Sequence, residues 1–97
     1  VSEEEEIAAF LAEVDRLIAR APRLDPVQAA LLTAAACGLP ADSRSLSGHL
    51  GLEHALVLRA VHQLQDTPPL IRIIREDPRT MRRWFELTEQ GRQIAQG

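Results

Sequence analysis

Residues 42–64 read DSRSLSGHLGLEHALVLRAVHQL. The spacing predicts two short helices joined by a tight turn. Leu46 and Leu50 share one helical face, and Gly51 ends that helix because glycine enters the left-handed region at little cost. In the next run Val57, Ala60, Val61 and Leu64 stand at i, i+3, i+4 and i+7, one apolar side of a helix. Ala55, Arg59 and His62 fall on the opposite side, with Leu58 turned toward them. A helix carried by another across a short glycine-containing turn is the sequence form of a helix-turn-helix, here residues 43–65 with the second helix at 53–65.

The chain is 97 residues long, the length of one domain, and 45% hydrophobic. Its aromatic residues are Phe10, Trp84 and Phe85, so leucine, isoleucine, valine and alanine must fill the core. A single cysteine excludes an intrachain disulfide framework and a multi-cysteine metal site. The longest apolar runs fall far short of a membrane span, and no signal-peptide layout is present; the expectation is a soluble cytoplasmic protein. The net charge of −3 argues against a sequence-blind nucleic-acid coat. Residues 1–41 carry seven acids and three arginines, whereas residues 42–97 carry seven acids and eight arginines. Every basic residue is arginine, whose planar fork suits phosphate and guanine, although a compositional bias would leave the same mark.

Upstream, residues 1–20 predict a helix. Ser2 with Glu5 forms a capping-box pattern, and Glu3 to Glu6 lie where the helix dipole favours negative charge. Ile7, Phe10, Leu11, Val14, Leu17 and Ile18 make one long apolar stripe, suited to packing on the core, on a second copy, or on both. Asp25 caps a second helix with Pro26 at its first position, and this helix stops at Gly38. Cys37, on its apolar alanine-rich run, is expected to be buried. Residues 39–42 read as a linker, and Ser43 or Ser45 as the cap of the following helix.

Downstream, residues 65–69 read as a helix stop and turn. Residues 70–75 predict a strand, 76–79 a turn and 80–87 a returning strand, with Arg75, Arg79, Arg82 and Arg83 at or near the hairpin tip. One of Trp84 and Phe85 should enter the core, leaving the other to meet the first helix or a partner subunit. Thr88 caps a last helix, 88–96, despite Gly91 within it.

The order of these elements resembles a winged-helix DNA-binding domain. Segment 43–95 is most similar to the MarR type of bacterial transcription regulator and somewhat similar to the PadR type. Leu46, Leu50, Gly51, Val57, Arg59, Val61 and Leu64 fall on the helix-turn-helix pattern. Asp77-Pro78-Arg79 with Arg82 and Arg83 resembles an arginine-bearing wing tip, and Leu87-Thr88-Glu89-Gln90-Gly91-Arg92 the phrase that closes the wing. The sequence departs from the pattern at Glu53, His54, Ala55 and Leu56, where the first turn of the recognition helix usually carries serine or threonine, and at Leu58, where a small polar residue is common.

The expected fold is therefore a single domain over 1–97, mainly α with a small β-hairpin. It is a winged helix-turn-helix with a three-helix core, a wing at 70–87 and an extra N-terminal helix. The resemblance implies binding to double-stranded DNA in transcriptional control. Helix 53–65 would lie in the major groove and the wing on backbone or minor groove. The candidate DNA contacts are Arg44, Ser45, His54, Ala55, Arg59, His62, Arg79 and Arg82. The stripe Ile7, Phe10, Leu11, Val14, Leu17 and Ile18 is the candidate homodimer interface.

His49, His54 and His62 are not spaced as metal ligands, and no cofactor is implied. No nucleophile elbow, phosphate loop or paired carboxylates in an apolar setting support catalysis. The rival reading is a winged-helix protein-interaction module, suggested by Leu56 and Leu58 and the acidic total. A third is a ligand-sensing regulator with an apolar pocket between dimer helices, for which no polar constellation defines an effector.

Overall fold

The computed structural model describes residues 2–66 and 68–97; Thr67, within the expected turn at 65–69, lies outside the described residues. Among the described residues five helices and one hairpin follow in order: α1 (Glu3–Arg20), α2 (Pro26–Ala36), α3 (Ser43–Leu50), α4 (His54–Leu64), β1 (Ile71–Asp77), β2 (Arg82–Leu87) and α5 (Glu89–Gln96).

The helix starts are chemically explicit. Ser2 accepts the Glu5 N–H at 3.2 Å. At α2 the capping box is complete, with Asp25 accepting from the Gln28 backbone and Gln28 from the Asp25 backbone. The cap of α3 corrects the expectation: Asp42, not Ser43 or Ser45, accepts the Ser45 N–H at 2.8 Å. Gly51 ends α3 at φ 66° with its N–H on the Ser47 carbonyl, the left-handed stop that its position predicts.

Helix α2 is the hub, packing against α1, α4, α5 and β2. Ala29, Leu31, Leu32 and Ala34 are wholly buried along it, and the small side chains let its neighbours approach closely. Val57, Ala60, Val61 and Leu64 bring α4 into the same core, as their spacing predicts. Cys37 is exposed, which corrects the expectation of a buried thiol. Helix α2 ends at Ala36, so Cys37 sits at the cap beyond the last packed turn.

The apolar stripe of α1 divides. Val14 and Leu17 are buried in the domain's own core and Ile18 packs against it. Ile7 and Leu11 remain 53% and 55% exposed, with half-buried Phe10 between them. The end of α1 is tied to the end of α5, where Arg20 donates to the Ile94 and Ala95 carbonyls at 2.9 and 3.2 Å. A cation there also complements the negative end of the α5 dipole.

The hairpin is antiparallel, pairing Ile71 with Leu87, Ile73 with Phe85 and Asp77 with Arg82. It runs to Asp77, later than expected, because the Asp77 carboxylate accepts the Arg79 N–H at 3.0 Å and starts the turn there. Met81, at φ 62°, closes it. A bulge between Ile73 and Arg75 leaves Ile74 58% exposed. Phe85 fills the core. Trp84 lies half-buried under Arg75 and Arg82, whose guanidinium carbons stand 4.6 and 4.7 Å from its ring centroid.

Candidate nucleic-acid interface

The solvent side of α4 is the first component. Ala55 and Leu56 are exposed, Leu58 is half-buried, and Arg59 and His62 are exposed. Among the described residues neither Arg59 nor His62 takes part in an ion pair. The inner side is spent on the core, so α4 is held without using its outer side chains.

The hairpin tip is the second component. Its arginines are engaged unequally: Asp42 takes Arg82, and Asp77 takes only the Arg79 backbone N–H. Glu86 pairs with Arg72, and Glu76 reaches Arg83 at 3.9 Å. Arg79 is exposed and in no ion pair among the described residues. Arg44, exposed on the first turn of α3, donates to the Thr80 carbonyl at 3.0 Å and so stands beside the tip.

The third component is the seam between these parts, and it uses residues that read as a linker. Ala41 accepts the Phe85 N–H at 2.9 Å, and Asp42 forms a bridge with Trp84, so the segment adds a short third rung to the hairpin. Arg82 grips Asp42 with two donors, Nε at 2.9 Å and Nη2 at 3.1 Å. Ser43 Oγ accepts the Arg83 N–H at 2.9 Å and lies 2.8 Å from His54 Nε2. Asp42 and Ser43 are 2% and 0% exposed. The two sequence candidates His54 and Arg82 are thus brought into internal contacts, while Ser45, half-buried, stands 3.5 Å from Arg82.

The electrostatics follow from this packing. Burial alone would raise the Asp42 pKa, but the bonds from Arg82 and from the Ser45 backbone outweigh it and hold the carboxyl below its usual range. Asp42 in turn raises Arg82 above its ordinary value. Burial, and after it the Arg44 charge, lower His54 against the opposing pull of Asp42. A neutral imidazole accepting the Ser43 hydroxyl proton fits both that shift and the bond Ser43 already takes from Arg83.

The comparisons with known proteins bear on the fold. No family model matches the sequence, and no curated protein matches it. A solved structure does, the crystal structure of a MarR-family transcriptional regulator from Rhodococcus sp. RHA1. It is matched at a TM-score of 0.61 and 18% identity, over 96% of this chain and 64% of that one. The fold is a MarR-like winged helix. At that identity the likeness concerns architecture, and this chain spans 64% of the regulator's length. In the winged helix, α3 and α4 are the helix-turn-helix and the β1–β2 hairpin is the wing. The seam Ala41–Ser43 leaves no pattern in the sequence, because two residues of extended backbone, Ala41 and Asp42, carry no periodicity. The signal present is Asp42 directly ahead of Ser43, a capping pattern whose accepting oxygen stands one residue before the serines.

On the far side of α3 lies an open groove of about 780 Å³, with Ile7, Phe10, Leu11, Leu39, His49 and Leu50 among its lining. Glu3, Glu6 and Glu13 also border it. No group of three or more histidine, cysteine, aspartate or glutamate side chains is gathered as metal ligands among the described residues. No helix among them is long and apolar enough to cross a membrane.

Proposed function

We propose that this chain binds double-stranded DNA sequence-specifically as a transcriptional regulator. Helix α4 lies in the major groove and the wing on the adjacent backbone or minor groove. The observation that carries this reading is Arg59: exposed and in no ion pair on the outer side of α4, with the wing fastened nearby through α3. An arginine so placed can meet guanine O6 and N7 with two donors. Ala55 and Leu58 offer apolar contact to a thymine methyl. Arg44, Ser45, His62 and Arg79 are suited to phosphates and groove edges. The protein acts by binding and not by catalysis.

A homodimer fits the reading, since paired recognition helices meet half-sites about one DNA turn apart. Exposed Ile7 and Leu11 beside the apolar groove support the N-terminal half of α1 as its surface. Val14 and Leu17 serve the monomer core, which leaves the N-terminal half of the stripe for a partner. A dimeric mass at micromolar concentration is the expected result, and a monomeric mass counts against it.

The deciding experiment is selection of random duplexes by the purified protein at moderate salt, followed by sequencing. An enriched inverted repeat, with one position relaxed by Arg59→Ala, supports both specific binding and a symmetric dimer. No enrichment even at low salt removes the reading. In that case Leu56, 44% exposed, and half-buried Leu58 favour a protein-interaction surface, for which Leu58→Glu is the disabling change.

A further inference from the structure

Three consecutive residues hold together the two parts of the molecule assigned to DNA. From the segment 41–43, bonds run to Arg82, Arg83 and Phe85 of the wing and to His54, the first residue of α4. Arg44, the next residue, adds a bond to Thr80 in the wing turn. Asp42 and Ser43 are almost wholly buried, so neither is placed to touch a ligand. Both Asp42 oxygens are taken up by Arg82, and one of them also by the Ser45 N–H. The Arg82 guanidinium is further occupied by Trp84.

Nε and Nη2 of Arg82 are thus committed to Asp42 and its guanidinium to the Trp84 ring, and although 37% of the side chain is accessible, the engaged donors are not free for a phosphate. Its two-pronged geometry fixes orientation as well as distance, and it does so at the base of the wing. Ser43 performs the matching task for α4, since one hydroxyl joins the Arg83 backbone to the His54 ring.

We infer that Asp42 and Ser43 are positioning residues that set the wing relative to α4, with Arg82 as the wing's anchor and not a DNA contact. This rests on the DNA-binding reading above. Without the anchor the two elements still exist, but they no longer meet one duplex at the same time, and the advantage of two linked contacts is lost.

The test is a double-mutant cycle with Asp42→Asn and Arg82→Gln in the full chain, read by binding to a selected duplex across a range of salt. Asparagine keeps the cap on α3, so the helix start survives while the charged grip goes. Each single change is expected to weaken binding on the order of tenfold, the loss typical of a charge-assisted hydrogen bond. The double variant should be no weaker than the worse single one, with the salt slope unchanged. Hydroxyl-radical footprints should lose protection where the wing lies and keep it in the groove held by α4. Trp84 emission in the free protein should shift in both single variants, because Arg82 leaves its ring. Ser43→Ala provides a second route to the same footprint with Arg82 intact.

An Arg82→Gln loss that adds to Asp42→Asn and lowers the salt slope by about 0.9 makes Arg82 a phosphate contact and overturns the inference. Wild-type affinity in Asp42→Asn overturns it as well. Both leave the DNA reading standing. A wild-type protein that binds no duplex removes that reading and the inference with it, and the Trp84 emission then reports on the grip alone.

Discussion

The α-carbon of Gly91 lies against the carbonyl of Leu70, where a β-carbon would come within 2.0 Å of the oxygen. The same carbonyl accepts the Thr88 N–H at 3.1 Å, which fixes it in place. Alanine would improve the intrinsic helix propensity of α5 by about 1 kcal/mol. The clash with fixed backbone opposes this, and overpacking of that kind costs about 1–3 kcal/mol or more. Gly91→Ala is therefore expected to lower stability in urea unfolding. A stabilised variant would show that α5 can move away from Leu70 freely.

Arg59 and Arg79 should fail in different ways. Arg59→Ala is expected to lose about 1–3 kcal/mol of discrimination at one base-pair position. Arg79→Ala should weaken binding to all duplexes alike and flatten the salt slope by about 0.9. Titrations against cognate and scrambled duplexes at several salt concentrations separate the two. Identical profiles would leave α4 and the wing without distinct roles.

His54 should make stability depend on pH in the weakly acidic range. Its pKa in the fold lies below the ordinary 6.5, so the unfolded chain takes up the proton first. The stability linked to neutral His54 is complete above that ordinary value and declines as pH falls through it toward the folded value. Protonation also sets the ring against the Ser43 hydroxyl proton. Unfolding measured at about pH 7.5 and about pH 5.5 should show a larger loss in the wild type than in His54→Gln. Equal losses would place the acid sensitivity elsewhere.

The two halves of α1 should respond oppositely to substitution. Leu17 is 1% exposed, and Leu17→Ala is expected to cost about 2–5 kcal/mol. Leu11 is 55% exposed, and Leu11→Ser should change monomer stability by no more than about 0.5 kcal/mol. If the exposed half is the dimer surface, Leu11→Glu yields a monomer by light scattering with the fold intact. An unchanged dimer would move the interface away from Leu11.

What could be read in the sequence was what repeats along it. The 3.6-residue spacing of Val57, Ala60, Val61 and Leu64 located the buried side of α4, and the run at 70–75 located the first wing strand. Gly51 and Asp25 announced their helix ends through local chemistry. The features that escaped depend on partners distant in the chain. Nothing around Arg82 distinguishes a buried grip on Asp42 from a solvent-facing contact, and nothing around His54 points to Ser43. Cys37 looked apolar by its neighbours but lies past the last packed turn. The stripe on α1 was visible as a whole; its division at Val14 was not, because it depends on where α2 and α5 stop covering it.

The seam at Ala41–Ser43 also has a bearing on how the chain acquires its shape. Asp42 and Arg82 are separated by 40 residues, whereas the α3–α4 turn and the wing hairpin each join near neighbours. Closing the long loop costs entropy that the seam returns together with the burial of Phe85, Ile71 and Leu87. The helical pair and the hairpin can each form early, but their union belongs late on the folding path. The reverse holds when the native state opens: rupture at one buried carboxylate and one hydroxyl frees the seam first, while Ile71, Phe85 and Leu87 still hold the hairpin on the core. Amide protons of Arg83 and Phe85, whose acceptors lie across that seam, should therefore exchange with solvent ahead of those in α2.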